Sequence, residues 1–191
     1  PLRILTCTTC WLVQTEDYAD ADTLFNKDYA YFSSTSKSWL GHAKNYCEMI
    51  TKRLGLSSNS FIVEIASNDG YLLKNFVEAK IPCLGIEPTK STADYSAKFG
   101  IRVNKEFFGS KVGSRMAKND EKADLIIGNN VFAHVPDIND FTAGIANLLK
   151  KHGVVTLEFP HLMQLIKYNQ FDTVYHAVSY THLTLPTTPY V

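Results

Sequence analysis

Apolar and polar positions change their period along this chain. Trp39, Ala43, Tyr46, Ile50 and Leu54 recur every three to four residues, a spacing that lays one apolar stripe along one face of a helix. Ser36 stands where an N-cap hydroxyl would accept the first free amides, and Gly55 where a left-handed residue would stop the helix. Beyond it the apolar runs shorten. Phe61-Ile62-Val63-Glu64-Ile65-Ala66 reads as a buried strand, Tyr71–Ala79 as a helix, and Cys83-Leu84-Gly85-Ile86-Glu87 as a second strand. A helix near Thr92–Phe99 and a short strand at Ile101–Val103 follow, then a strand at Asp124–Gly128. Ile138, Phe141, Ile145, Leu148 and Leu149 return to helical spacing, with Gly153 as the expected stop before a fifth strand, Val154–Glu158. Strands alternating with helices at this pitch imply right-handed crossovers and a mostly parallel sheet covered on both faces. The expected class is α/β, with a Rossmann-like architecture.

The ends differ in texture. Residues 1–28 hold a Cys-x-x-Cys, and 29–60 pair the aromatic, hydroxyl-rich run Tyr29-Ala30-Tyr31-Phe32-Ser33-Ser34 with the first helix. Residues 61–176 carry the alternation. Residues 177–191 have no helical period and end in a segment with two prolines, Pro186 and Pro189; they resemble translated sequencing-adapter DNA and are expected to lie outside the fold. The 191 residues suit one ordinary domain with a short appendage. Nineteen Lys and Arg against nineteen Asp and Glu leave no net charge, which disfavours a polynucleotide partner. A hydrophobic share of 45% with 20% charged residues is globular. No apolar run approaches the roughly 20 residues that span a bilayer, and no basic-then-apolar leader is present, so a cytoplasmic location is expected.

The segment Glu64-Ile65-Ala66-Ser67-Asn68-Asp69-Gly70 falls between a strand and a helix. In doubly wound folds ligands bind beyond the carboxyl ends of the strands. A dinucleotide pyrophosphate would want Gly-x-Gly-x-x-Gly, so that backbone amides can crowd around the phosphates. Only Gly70 is a glycine here, with Ala66 and Asn68 standing where others could be, and Glu64 and Asp69 would repel phosphate. That argues against NAD and FAD. It suits S-adenosylmethionine, which has no phosphate and carries a sulfonium and an ammonium. Glu87 ends the second strand, placed about 20 residues past the loop to accept ribose hydroxyls.

Further along, Asn129 and Asn130 end the fourth strand, where their amides suit the methionine end of that cofactor or an Asn turn. His134, just beyond, is a candidate base near neutral pH or a histidine bonded to a nearby carbonyl. Cys7 and Cys10 have the spacing of half a zinc ribbon. Tetrahedral zinc needs four ligands, and Cys47 and Cys83 are isolated in apolar surroundings. Either a second pair belongs to chain not present here or these are two free thiols.

Taken as a set, Tyr29–Ser34, Ile62–Leu73, Leu84-Gly85-Ile86-Glu87-Pro88, Asn129–Pro136 and Phe171–His176 resemble the S-adenosylmethionine-dependent C-methyltransferases that act on nucleotide-linked 4-keto deoxysugars. The resemblance runs from about Leu2 to His176 and implies a class I methyltransferase fold preceded by a zinc-binding segment with two Cys-x-x-Cys pairs. It implies removal of the C3 proton of the keto sugar and attack of the carbanion on the donor methyl. By position, Tyr31 would lie near the sugar, His134 would contact the developing enolate oxygen, and Tyr175 would line the pocket. The family's Tyr-x-Glu-His motif has Ala177 and Val178 in place of Glu and His, so the chain reads as a fragment cut at both ends with impaired turnover. The expected partner is a nucleotide-sugar, with neither nucleic acid nor membrane. A methyltransferase acting on oxygen or nitrogen of a small metabolite, and a non-catalytic fragment that still binds the cofactor, are the competing readings.

Overall fold

The computed structural model describes residues 3–9, 12–15, 31–159, 162–170 and 181–182. Its centre is a five-stranded parallel sheet made by β3 (Ile62–Ile65), β4 (Cys83–Ile86), β5 (Arg102–Asn104), β6 (Ala123–Asn129) and β7 (Leu149–Glu158), in the order β5-β4-β3-β6-β7. Helices α1 (Lys37–Leu54), α2 (Leu73–Glu78), α3 (Lys90–Ser96), α4 (Ser110–Lys118) and α5 (Ile138–Leu148) connect and cover these strands, and α6 (Leu162–Lys167) follows them. A separate antiparallel sheet joins β1 (Ile4–Thr6), β2 (Leu12–Thr15) and β8 (Thr181–His182). Thr181 and His182 thus pair with β2, although their stretch was expected outside the fold.

Side chains alternate across the parallel sheet because successive Cβ atoms point to opposite faces. Ile62, Leu125 and Ile127 pack with Ala43, Cys47 and Ile50 of α1 and with Leu73 and Phe76 of α2. Val63, Ile65 and Ile126 face the other way, onto Val112 and Met116 of α4 and Phe141, Ile145 and Leu148 of α5. Burial on both faces is why these strands read as nearly unbroken apolar runs. Helix α1 starts as its sequence predicts: Ser36 accepts from the Trp39 amide, and Gly55 ends it at φ 63°.

Two local features depart from the sequence reading. Helix α4 was not expected, because only Val112 and Met116 mark its buried face beside Gly113. Its contact with α5 is backbone against backbone: a Cβ on Gly113 would lie 2.3 Å from the Gly144 carbonyl oxygen. The second departure is Gly153, which does not stop α5. The helix ends at Leu148 because Leu149 is already extended and pairs with Ala123. Val154 pairs with Leu125, so residues 150–153 form an irregularity inside β7, where a Cβ on Gly153 would meet the Ala123 carbonyl at 2.8 Å.

The expected zinc segment is not supported. Among the described residues no group of three or more His, Cys, Asp or Glu side chains could hold a metal ion. Cys10 lies outside the described residues, and the Cys7 sulfur accepts from the Thr9 amide at 3.4 Å. Cys47 and Cys83 belong to the core: their thiols face the Leu72 and Leu73 carbonyls, and burial pushes the Cys83 thiol up to about 11. No described helix is long and apolar enough to cross a membrane.

Candidate functional site

From β3 the chain runs outward through β4 to β5, then returns past β3 to β6 and β7. The direction reverses between β3 and β6, and the carboxyl ends of those two strands open a crevice where a doubly wound fold takes its ligand. Residues 66–70 and Asn129–Asn130 are the segments that meet there.

The loop after β3 holds three left-handed residues at alternate positions: Ala66 at φ 56°, Asn68 at φ 50° and Gly70 at φ 79°. These are the positions a glycine-rich loop would fill with glycine. Asn tolerates the conformation, whereas Ala66 holds it against a cost of about 1–2 kcal/mol. Gly70 is required twice over, because a Cβ there would sit 2.6 Å from Ile101 Cδ1 and 2.9 Å from Ser96 Cβ.

Glu87, just past β4, ties this loop down. One carboxylate oxygen accepts from the Asn68 amide and the other from the Thr89 amide, both at 2.9 Å. Each oxygen keeps a second lone pair, so the same carboxylate can accept hydroxyl donors. The Asn68 side chain fastens the lead-in segment: its Oδ1 accepts from the Ser33 amide and its Nδ2 donates to the Tyr31 carbonyl, each at 3.1 Å. Asp69 Oδ2 accepts from the Ser34 amide at 3.1 Å. Residues 31–34 therefore dock on the loop through backbone groups, and the Tyr31 ring is exposed.

Glu64 lies beneath the loop, on β3, with 1% of its surface exposed. Burial raises its carboxyl well above the usual range, and the nearby charges of Glu87 and Asp69 push it the same way. Both Glu64 oxygens, Ser67 Oγ, Asp69 Oδ1 and Thr89 Oγ1 are buried without a hydrogen-bond partner among the described residues. Unpaired buried polar atoms are costly and call for an occupant or a role. They are oxygen atoms beside three acids, a setting that favours hydroxyl donors and cations over phosphate.

At the end of β6, the Asn129 and Trp39 side chains lie near the Tyr71 hydroxyl, which burial pushes well above its ordinary range. Asn130 takes φ 52°, and its amide donates to the Glu158 carbonyl at 2.7 Å. His134 closes the short turn Phe132–His134, half-buried, with its amide donating to the Val131 carbonyl. The structure thus brings Ala66, Asn68, Gly70, Glu87 and the Tyr31 backbone together, sets Glu64 below them, and holds Asn129, Asn130 and His134 on the facing strand end. Tyr175, His176, Ala177 and Val178 lie outside the described residues. The sequence reading missed Ser67, Thr89 and Tyr71 as parts of the site.

The C-methyltransferase NovU of Streptomyces niveus is 32% identical over 176 residues, covering 92% of this chain and 42% of its own length. The ubiquinone biosynthesis O-methyltransferase of Pelagibacter ubique (strain HTCC1062) is 31% identical over 98 residues, 51% of this chain and 40% of its own. The chain spans about two fifths of the length of these curated relatives. Among solved structures, a Methanococcus maripaludis protein described as a putative S-adenosyl-L-methionine-dependent methyltransferase superposes with a TM-score of 0.56 at 14% identity, covering 83% of this chain and 79% of that one. It shares the fold. A family model described as a methyltransferase domain matches residues 39–189, from the first helix onward, and the chain belongs to the methyltransferase-domain family.

Proposed function

We propose that the chain takes S-adenosylmethionine at the β3–β4 side of the crevice and methylates carbon 3 of a nucleotide-linked 4-keto deoxysugar. The observation that carries the cofactor reading is the loop itself: left-handed turns at Ala66, Asn68 and Gly70, bordered by buried acids, with Glu87 at the next strand end. Glu87 would hold the ribose hydroxyls, the loop 66–70 would meet the amino-acid portion, and Asn129 and Asn130 would bond it from the facing strand. When bound, the cofactor supplies a methyl group on a positively charged sulfur. Carbon as the acceptor is favoured by the similarity to NovU, a C-methyltransferase.

The chain's own residues serve that chemistry by positioning. The Glu87 carboxylate fixes the loop through two backbone amides. Burial raises the Glu64 carboxyl well above its usual range, which disfavours a further full negative charge beneath the loop. Tyr31, on the segment docked to the loop, and His134, past the end of β6, would face the keto sugar as a hydroxyl neighbour and a partner for its developing enolate oxygen, and Tyr175 would line the same pocket. Calorimetry with S-adenosylhomocysteine tests the cofactor half, with binding expected for the native chain. Glu87→Ala removes both loop anchors, so Glu87→Gln, which keeps one acceptor oxygen, separates the loss of a ligand contact from collapse of the loop. Protection of the chain from thermal unfolding by a thymidine diphosphate 4-keto sugar tests the acceptor half.

A further inference from the structure

Asn68 joins two parts of the molecule that the cofactor reading treats separately. Its backbone amide donates to Glu87 Oε2 at 2.9 Å, and its φ is 50°. Its side chain turns to the residues ahead of α1. Oδ1 accepts from the Ser33 amide at 3.1 Å and from the Asp69 amide at 2.9 Å, while Nδ2 donates to the Tyr31 carbonyl at 3.1 Å. Asp69 Oδ2 takes the Ser34 amide at 3.1 Å. The Phe32 ring meets Tyr95 edge-on, with centroids 5.4 Å apart, and Tyr95 belongs to α3, the helix that follows Glu87. Residues 31–34 thus form a strap anchored on the cofactor loop and on α3, and it enters α1 at Ser36.

Both lone pairs of Asn68 Oδ1 and one of the two Nδ2 hydrogens are spent within the protein. The side chain therefore serves the strap, and the backbone serves the loop. Three bonds to backbone groups and one ring contact roughly offset the entropy lost in ordering residues 31–34. A docking equilibrium so balanced responds to whatever stiffens its anchors. Glu87, which holds the Asn68 amide, is the group that would take the ribose, so ligand and strap bear on the same residue.

We propose that Asn68 is a positioning residue that couples the cofactor site to the strap. A cofactor on Glu87 and the loop fixes Asn68, Asn68 fixes residues 31–34, and Tyr31 takes its place at the sugar. The inference rests on the cofactor reading above and adds the order in which the site is assembled, methyl donor first and sugar second. The coupling is reciprocal: the factor by which the cofactor steadies the strap is the factor by which the docked strap tightens the cofactor.

The test follows hydrogen exchange of the Ser33 and Ser34 amides by NMR in the full chain, alone and saturated with S-adenosylhomocysteine, with calorimetry on the same samples. The thioether slows exchange at both amides about fivefold or more. Ser33→Pro removes the amide that Asn68 accepts, and Phe32, at φ −110° and ψ 114°, already has the extended backbone that proline demands of its predecessor. In this variant Ser34 exchanges about tenfold faster without ligand, and thioether affinity falls about threefold or more. Phe32→Ala, which removes the ring contact with Tyr95 but no polar group, moves both readings the same way. A strap that merely braced the fold would exchange at one rate whether or not the ligand is bound. Equal rates with and without bound thioether, or native thioether affinity in a folded variant whose strap exchanges faster, overturns the coupling and leaves the cofactor reading standing. No thioether binding by the native chain overturns both.

Discussion

The two sides of the crevice are built differently. On the β3–β4 side nearly every contact joins neighbours in the fold through the backbone: Glu87 to the Asn68 and Thr89 amides, Asn68 to the 31–34 segment, Gly70 against Ile101 and Ser96. On the β6–β7 side the contacts run between side chains far apart in sequence, His42 to Glu158 and Tyr46 to Thr156. The first side is a rigid cradle in which acids are buried; the second is an open wall of polar and aromatic groups carried by α1. The first kind of surface, held still and stripped of water, is the one the proposed methyl donor would take.

If that division holds, substitutions on the two sides fail in different ways. The largest effect is expected from Gly70→Val. It adds a branched side chain at φ 79°, against Ile101 and Ser96, and should cost about 3 kcal/mol or more, the sum of left-handed strain and overpacking. Denaturant unfolding measures it; a loss under about 1 kcal/mol would mean that the loop is not held as tightly as the geometry indicates.

Next comes Glu87→Ala. Two charge-assisted bonds to backbone amides are lost, each worth about 1.5–3 kcal/mol, so both stability and thioether affinity should fall, the affinity by about tenfold or more. By contrast Glu158→Ala should leave stability nearly unchanged. Equal losses from the two would erase the contrast between cradle and wall.

A pH series sharpens the cradle side. The folded carboxyl of Glu64 titrates well above its ordinary value of 4.5. As pH rises past that value the unfolded chain releases a proton that the folded chain keeps. Its contribution is therefore full below the unfolded value and is lost as pH climbs toward the folded one. Glu64→Gln cannot ionise, so its stability relative to the native chain should grow from pH 5 to pH 8. Parallel stability curves for the two proteins would show that Glu64 is not held protonated.

The smallest effect is that of Ala66→Gly. Glycine accepts φ 56° without strain, and after its greater loss of entropy on folding the gain should be no more than about 1 kcal/mol. A loss of stability would contradict the left-handed assignment at this position.

The same contrast explains what was legible in the sequence. Strands buried on both faces announce themselves, and β3, β4, β5 and β6 fall within a residue or so of their expected limits, as does α1 between Ser36 and Gly55. The cradle was readable because its parts lie in one local segment plus one strand end. Helix α4 was invisible because Gly113 packs through its lack of a side chain, which leaves no apolar signature. The early start of β7 was hidden by Gly153, which reads as a helix stop but serves an irregular strand. His42 lies off the apolar stripe of α1, and only the fold brings Glu158 to it.

The cradle beside β3 is proposed to take a cationic, phosphate-free nucleoside, and calorimetry of the folded chain against S-adenosylhomocysteine and, separately, NAD decides it. Saturable heat is expected with the thioether, weakened by Glu87→Gln, and none with the dinucleotide; heat with NAD and silence with the thioether overturns the assignment.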